Sequence, residues 1–385
     1  MDYFVPKHLL SITLFLLLNI NSVLSSDYQK IQTLLLNIPE NREIQLPPGI
    51  FSIHRNLSLL ANDIVLTGSG DYETILSFKR QKTAGEGLLV KGNNITIKNL
   101  VILDTQGDGL KVRNSQNVVI DDIKVGWTRG AKASNGDYAI YPVSSKQVTI
   151  KNCETFAAAE AGLYIGQTFD GKIINNTSYQ NVVGIEVENS QNTYIANNTV
   201  FNNSIGIMIS DIPGLTMMGK HTKIENNTLQ NNNLNNFSIN KSHLGYKQQG
   251  IGILLVAVKF ADIVKNHFSN HATTHVGVIH YLSTPFPRSR MTYNPNPFAI
   301  TIRNNQFAIK EKVTTETRDF FQWSVASHHY DLLWDHKITV DDGAPALSSE
   351  QVICFDSKPI RIAKVASTDL LQPLTDKLHL LCPSQ

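Results

Sequence analysis

Short segments in which apolar and polar residues alternate recur along most of the chain and predict β-strands. In Leu110–Arg113, for example, Leu and Val occupy one face of a strand, and Lys and Arg occupy the other. A strand of a few residues cannot bury its apolar face alone. Stacking coil upon coil buries that face and gives each strand hydrogen-bonding partners in the coils above and below.

Two phrases recur at a fixed spacing and predict how these strands are joined. One is Ile-x-Asn, and the shortest steps between successive copies are 22 to 23 residues. The other is Gly-apolar-x-apolar, which precedes the Ile by 10 or 11 residues in most copies. A constant offset indicates two strands per coil in a fixed phase. The Ile positions are Ile97, Ile150, Ile173, Ile195, Ile224 and Ile302, with looser copies at Ile120 and Ile263.

This repeat predicts an all-β fold, a right-handed parallel β-helix built as a single-stranded solenoid. The coil length also suits a leucine-rich repeat, but the Leu-x-x-Leu-x-Leu framework of that fold is missing. Gly suits the corners of a coil, Asn suits turns in the left-handed region, and stacked Asn side chains can form ladders. We expect the β-helix to run from about Ile44 to Phe307, with a short helix at Tyr28–Leu36 capping its open end.

The N-terminal residues have the order of a secretory signal peptide. Lys7 and His8 precede the apolar run Leu9–Leu18, and the small residues Ser25 and Ser26 follow. We predict cleavage between the two serines; the alternative is an uncleaved N-terminal membrane anchor. No later apolar run reaches the ~20 residues of a membrane span. We therefore expect a secreted or periplasmic protein whose mature chain has no transmembrane segment.

The three cysteines and the fading of the repeat complete the predicted organisation. In an oxidising compartment Cys354 and Cys382 can form a disulfide, whereas Cys153 lies within the repeats and is expected to be buried and reduced. The predicted divisions are a signal peptide at 1–25, a capped β-helix domain at 26–310 and an irregular C-terminal capping tail at 311–385.

Composition narrows the range of partners. The formal net charge is +2 and 17% of residues are charged, so there is no basic field for nucleic acid. The cysteine and histidine spacing supports no zinc site, and no motif supports calcium, so we expect no cofactor. We expect a monomer.

Three phrases resemble those of a known group of proteins. They are Ile44-Gln-Leu-Pro-Pro-Gly-Ile-Phe, Gly109-Leu-Lys-Val-Arg-Asn-Ser and Gly162-Leu-Tyr-Ile-Gly-Gln, and they are similar to bacterial secreted right-handed parallel β-helix proteins of the pectate-lyase-like and mannuronan C5-epimerase-like kinds. The resemblance covers residues 40–305 and implies polysaccharide lyases, epimerases, hydrolases or carbohydrate-binding proteins. The Asp-Pro-His motif of the epimerase type and the Asn-Thr-Asp and Gly-His-Gly motifs of polygalacturonases are missing, so no family residue can be carried over.

Aligning the coils on the Gly phrase predicts columns of outward side chains. The first column reads Lys111, Tyr141, Tyr164 and Glu186 before it becomes apolar at Met208 and Leu254. The second contains Arg113 and, three coils later, Glu188. With coils ~4.8 Å apart, we expect these residues to line a groove for an extended, acidic polysaccharide.

Insertions between the strands are candidates for the walls of this groove. The insertion from Trp127 to Tyr138 carries Trp127, Lys132 and Asn135, which we expect to contact the sugar. The segments Pro213–Gly219 and Pro285–Arg290 are candidates for the opposite rim.

The column suits removal of the C5 proton of a uronate, the step shared by lyases and C5-epimerases. Lys111 or Arg113 would neutralise the substrate carboxylate. Tyr141 or Tyr164 would exchange the proton, provided that a nearby cation lowers its pKa, and Glu186 is an alternative base.

Two other hypotheses stay open. The column can be an exposed ladder with aromatic packing, in which case the protein is a non-catalytic carbohydrate-binding or surface β-helix protein. Alternatively, Glu186 and Glu188 face the same way on one strand, roughly 7 Å apart, as a glycoside hydrolase would require.

Overall fold

A computed structural model describes residues 26–238, 249–284, 293–308, 330–335, 352–356, 361–365, 371–373, 380 and 382. Among these residues are the α-helix α1 (Asp27–Leu36) and a 3₁₀-helix at Tyr281–Ser283. The strands, in chain order, are β1 (Glu43–Gln45), β2 (Gly49–Ser52), β3 (Leu57–Leu60), β4 (Ile64–Thr67), β5 (Thr74–Ser77), β6 (Leu88–Lys91), β7 (Asn93–Leu103), β8 (Leu110–Arg113), β9 (Gln116–Gly126), β10 (Tyr138–Val143), β11 (Lys146–Lys151), β12 (Glu154–Phe156), β13 (Ala161–Gly166), β14 (Phe169–Ile174), β15 (Thr177–Tyr179), β16 (Val183–Glu188), β17 (Gln191–Ala196), β18 (Thr199–Phe201), β19 (Ile205–Ser210), β20 (Lys220–Glu225), β21 (Thr228–Gln230), β22 (Ile251–Val256), β23 (Lys259–Val264), β24 (His267–Ser269), β25 (Thr274–Ile279), β26 (Phe298–Arg303), β27 (Gln306–Ala308), β28 (Tyr330–Trp334), β29 (Ile353–Phe355), β30 (Ile362–Val365) and β31 (Leu371–Pro373).

These strands form two long sheets wrapped around one core. Twelve strands, from β3 through β8, β10, β13 and β16 to β31, make one sheet, and nineteen make the other. In the larger sheet β7 and β9 each continue around a corner, so that it comprises two series of stacked strands. All described pairings are parallel except that of β30 with β31. The predicted right-handed parallel β-helix is confirmed.

The Ile-x-Asn phrase consists of an inward-pointing residue followed by a corner of the coil. Its Ile points into the core, as at Ile97, Ile150 and Ile302, each at most 2% exposed. Two residues later the backbone turns through the left-handed region, with φ of 58° at Asn99 and 57° at Asn197. Asn tolerates this conformation at little cost because its short side chain hydrogen-bonds locally, which explains its repetition at the corner.

In five successive coils the residue after the left-handed corner is Asn, and these residues form the expected asparagine ladder. In Asn176, Asn198, Asn227 and Asn266 the side-chain NH₂ donates to the Oδ1 atom of the next coil's Asn at 2.9–3.1 Å. The same side-chain oxygens accept from backbone N–H groups of the preceding coil. The ladder satisfies polar groups at a buried corner, where an unpaired one would cost about 1–3 kcal/mol.

Helix α1 closes the N-terminal end, as expected. Ser26 and Gln29 form a capping box at its start. Ile31 and Leu35 are buried against the first coil. The side chain of Gln32 pairs with both the N–H and the C=O of Ser58 on the edge strand β3, so the backbone groups of Ser58 are satisfied.

Strand stacking continues beyond residue 310. β28 pairs with β25, β29 with β26, and β30 with β28, so parts of the segment predicted as a capping tail add strands to both sheets. The predicted disulfide between Cys354 and Cys382 is confirmed, and Cys153 is buried and unbonded. The predicted signal peptide lies outside the described residues, within which no helix is long and apolar enough to cross a membrane.

Candidate functional site

The predicted first outward column is confirmed by the register of the twelve-stranded sheet. Lys111 pairs with Tyr141, and Tyr164 pairs with Glu186, which in turn pairs with Met208. Lys111 and Tyr141 are half-buried, whereas Tyr164 and Glu186 are each only 3% exposed. Of the four predicted catalytic residues, therefore, only Lys111 and Tyr141 reach the surface to any extent.

Three tyrosines form a compact cluster over this part of the sheet. Tyr138, Tyr141 and Tyr164 have ring centroids 4.5–4.8 Å apart. The hydroxyl of Tyr138 donates to Glu160 at 2.7 Å, and that of Tyr164 donates to Glu188 at 2.8 Å. The site thus contains two parallel phenol–carboxylate pairs.

Sequence reasoning missed Tyr138 and Glu160. Both precede the Gly phrase that aligned the coils: Tyr138 lies directly before Ala139, and Glu160 lies two residues before Gly162. Extending the alignment by two residues toward the start of each strand would have included them.

A glycine makes the Tyr164–Glu188 contact possible. Gly166 occupies the second outward column, between Val143 and Glu188. A Cβ atom on Gly166 would lie 2.3 Å from the Tyr164 hydroxyl oxygen and 2.4–2.6 Å from its ring carbons. The ring therefore lies over Gly166, and any larger residue there would displace it.

The carboxyl group of Glu186 lies in an unusual environment. Its Oε2 atom is buried and has no hydrogen-bond partner among the described residues. Burial raises the pKa of Glu186 well above its ordinary value, and the charges of Glu188 and Glu160 raise it further. Burial therefore favours the protonated form of Glu186, which lies next to the half-buried side chain of Glu188 on the same strand.

The tyrosines are also held in their protonated form. Burial raises the pKa of Tyr141 to about 12, and the carboxylates of Asp108, Glu188 and Glu186 contribute. The Lys111 ammonium lies 4.5 Å from the Tyr141 ring centre, but it also pairs with Asp108 at 2.9 Å. The condition for a tyrosine base, a pKa lowered by a cation, is not met.

The insertion after β9 is built differently from the expected wall. Trp127 is only 1% exposed, and its Nε1–H donates to the carbonyl of Thr105 at 2.7 Å. Asn135 is 5% exposed and donates to the carbonyls of Gly130 and Ala157. The N–H groups of both side chains are thus engaged in hydrogen bonds that stabilise the loop, and neither is presented to a sugar in this structure. Lys132 is exposed.

The loop 212–219 lies at the opposite edge, where the strands of the site end. The side chain of Asn189 donates to the carbonyls of Ile212 and Met217, both at 2.8 Å. Thr216 donates to the side chain of Gln167, which follows β13. This places the loop beside the end of the strand that carries Glu188, as expected for a rim. Pro285–Arg290 lies outside the described residues.

No group of His, Cys, Asp or Glu in the described part of the chain has the geometry of a metal site. The arrangement instead offers a buried carboxyl group with a raised pKa, a second, half-buried carboxyl group and neutral phenols.

The fold defines the class of protein: it is a right-handed parallel β-helix protein, as the resemblance implies. Residues 128–307 match the family model described as the right handed beta helix region. No curated protein matches the chain in sequence.

Solved structures share this fold at low identity. The A-module of the mannuronan C-5 epimerase AlgE4 from Azotobacter vinelandii is 14% identical over 80% of this chain and 87% of its own, with a TM-score of 0.55. The A-module of AlgE6 from the same organism is 13% identical over 76% and 81%, with a TM-score of 0.51. An exopolygalacturonase from Thermotoga maritima is 12% identical over 84% and 82%, with a TM-score of 0.51. These likenesses show a common fold.

Proposed function

We propose that the protein acts on an extended polysaccharide, which binds along the outward face of the twelve-stranded sheet and is changed there by general acid–base catalysis. The observation that carries the proposal is the pair Glu186 and Glu188 on β16. Glu186 is buried, with a pKa raised well above its ordinary value; Glu188 is half-buried and accepts a hydrogen bond from Tyr164. Neighbouring carboxyl groups whose environments push their pKa values apart are the usual acid and base of such reactions.

The names of the structurally similar proteins support the substrate class. Two are epimerases of mannuronan and one is an exopolygalacturonase, so all three act on polysaccharides. Because the identity is low, this support concerns the class of substrate and not the reaction.

Hydrolysis of a glycosidic bond is the reaction that the carboxyl pair favours. Glu188 would activate water, and Glu186 would protonate the leaving oxygen, which requires the side chains that bury Glu186 to move when the substrate binds. Alternate residues of a strand are roughly 7 Å apart, within the ~6.5–9.5 Å separation of inverting hydrolases.

A lyase or C5-epimerase acting on an acidic polysaccharide is the second candidate. The position of Lys111 over the Tyr141 ring favours it, because Lys111 can face the carboxylate of a uronate while neutral Tyr141 donates a proton. The base of this reaction would lie in the coils of Lys111 and Tyr141, because Glu188 is three coils away from Lys111.

One set of assays separates these reactions. The protein is incubated with neutral and uronate polymers while reducing ends, the absorbance of unsaturated products and solvent deuterium at C5 are followed. Reducing ends without unsaturation identify hydrolysis, unsaturation identifies a lyase, and deuterium without cleavage identifies an epimerase. Glu186→Gln and Glu188→Gln should each lower turnover at least ~10²-fold, whereas the control Glu154→Gln on the other sheet should not.

Binding without turnover would identify a carbohydrate-binding protein and overturn the catalytic proposal. If no polymer is bound or altered, the whole assignment is wrong. We also propose that the protein meets its substrate in the periplasm or outside the cell, because of its predicted signal peptide. Mass spectrometry of the mature N-terminus tests this, and an intact Met1 would contradict it.

A further inference from the structure

Two cations stand side by side at the N-terminal end of the second outward column. Lys91 and Arg113 end β6 and β8, each one residue beyond the paired Val90 and Val112. Both side chains are exposed. Neither forms an ion pair with a carboxylate of the described residues, although Lys111, two residues before Arg113, is paired with Asp108.

This juxtaposition is unfavourable without a bound anion. Like charges directly opposite one another on adjacent strands destabilise a sheet. An anionic group between Lys91 and Arg113 would remove that repulsion. The guanidinium of Arg113 also presents a planar fork that matches a carboxylate, sulfate or phosphate group.

The column leads from these cations to the proposed reacting groups. Arg113 pairs with Val143, Val143 with Gly166, and Gly166 with Glu188. Three steps of ~4.8 Å place Glu188 about 14 Å from Arg113, roughly the length of three sugar units. Between the two ends lie Val143 and Gly166, and the ring of Tyr164 covers Gly166.

The distance decides what Arg113 can do. In a uronate the carboxylate is attached to C5, so a cation that assists removal of the C5 proton must lie on the same sugar as the base. Arg113 is about three units too far from Glu188 for that. Arg113 therefore contributes to binding. This role replaces the expectation that Arg113 neutralises the carboxylate of the reacting sugar.

We propose that Lys91 and Arg113 form a subsite for an anionic group of the polysaccharide, about three sugar units from the one that reacts at Glu188. The location of the reacting sugar rests on the proposed function. The substrate class is a polymer that carries uronate groups.

Binding measurements test the subsite without requiring turnover. Wild type and the inert Glu188→Gln variant are titrated with a uronate polymer and with the same polymer after chemical reduction of its carboxyl groups. We expect Arg113→Gln to weaken binding of the uronate polymer about tenfold and the double change with Lys91→Gln about a hundredfold, as loss of charged hydrogen bonds would. Binding of the carboxyl-reduced polymer should not change. The control is Lys146→Gln, an exposed lysine at the start of β11 on the other sheet.

The outcomes separate the subsite from the catalytic proposal. Equal weakening by Lys146→Gln, or none by the double variant, overturns the subsite even if the polymer is turned over. Failure of the uronate polymer to bind overturns it as well. A fall in kcat with KM unchanged for Arg113→Gln would place Arg113 at the reacting sugar instead. Binding that depends on Arg113 without any turnover supports the subsite and overturns the catalytic assignment.

Discussion

The hydroxyl of Tyr164 donates a 2.8 Å hydrogen bond to Glu188, the residue diagonally opposite it in the next coil. The bond places a neutral phenol against a carboxylate. It stabilises the ionised form of Glu188 and opposes ionisation of Tyr164, whose pKa lies well above its ordinary value mainly because the ring is buried. The hydrogen bond therefore favours a carboxylate at Glu188 together with a neutral phenol at Tyr164.

Tyr164→Phe should raise the pKa of Glu188. Loss of one hydrogen bond to a charged group is worth about 1.5 kcal/mol or more, which corresponds to about one pKa unit. The acidic limb of the pH–rate profile should move to higher pH by that amount, and an NMR titration of the glutamate side chains should show the same shift. Tyr194→Phe removes a similar bond to Glu225 on the other sheet and is the control. An unchanged limb would show that Glu188 is not the titrating group.

Gly166→Ala should have the same effect although both hydrogen-bonding groups remain. The added methyl group would occupy the space of the Tyr164 hydroxyl, so the ring must move away from Glu188. Gly277→Ala is a matched control, because its Cβ would come no closer than 3.2 Å to Leu254 in the same sheet. A crystal structure or the same titration checks the displacement. If Tyr164 keeps its bond to Glu188 in this variant, Gly166 has no positioning role.

The repeat explains which of these features the sequence could predict. Ile97 and Asn99 recur because each coil needs an inward apolar residue and a left-handed corner, so a local pattern is enough to find them. The alignment of Lys111 with Tyr141 follows equally, since strands stacked in register fix which residues are neighbours.

Burial could not be predicted in the same way. Trp127 belongs to an insertion that has no counterpart in other coils, so no alignment indicates that its ring turns inward. Tyr164 is buried in a cluster that includes Phe237, a residue more than seventy positions away in a different insertion. The raised pKa values of the tyrosines follow from this burial. The prediction of a tyrosine base could therefore be corrected only from the packing.

Glu186→Gln should change how stability depends on pH. The pKa of Glu186 is raised in the folded state, so its contribution to stability is fully present below its unfolded pKa of ~4.3 and is lost as pH rises through the folded value. Within that window the wild type should lose about 1.4 kcal/mol per pH unit from this group, and the variant should not. Denaturant midpoints measured from pH 4 to 8 give the comparison.

Glu225 supplies a control of opposite sign. Hydrogen bonds from Lys223 and Tyr194 lower the pKa of Glu225, so its contribution is present above the unfolded pKa and is lost as pH falls. Glu225→Gln should therefore destabilise the protein slightly at neutral pH and not at acidic pH. Parallel pH curves for Glu186→Gln and the wild type would mean that Glu186 is ionised in the folded protein.

Asn198→Ala should break the asparagine ladder at its second member. The Asn198 side chain donates to the carbonyl of Ile173 and to Asn227, and it accepts from the backbone and side chain of Asn176. Truncation leaves several of these buried groups without a partner, at about 1–3 kcal/mol each, so we expect a loss of about 3 kcal/mol or more in the free energy of unfolding.

The neighbouring residue provides the control for that change. Asn197 is exposed and adopts φ of 57°, a conformation that Gly adopts freely, so Asn197→Gly should change stability by less than about 1 kcal/mol. Chemical denaturation of both variants measures the difference. Only Asn198→Ala removes hydrogen bonds of the ladder. If both variants lose the same stability, the ladder does not hold adjacent coils together and the backbone turn does.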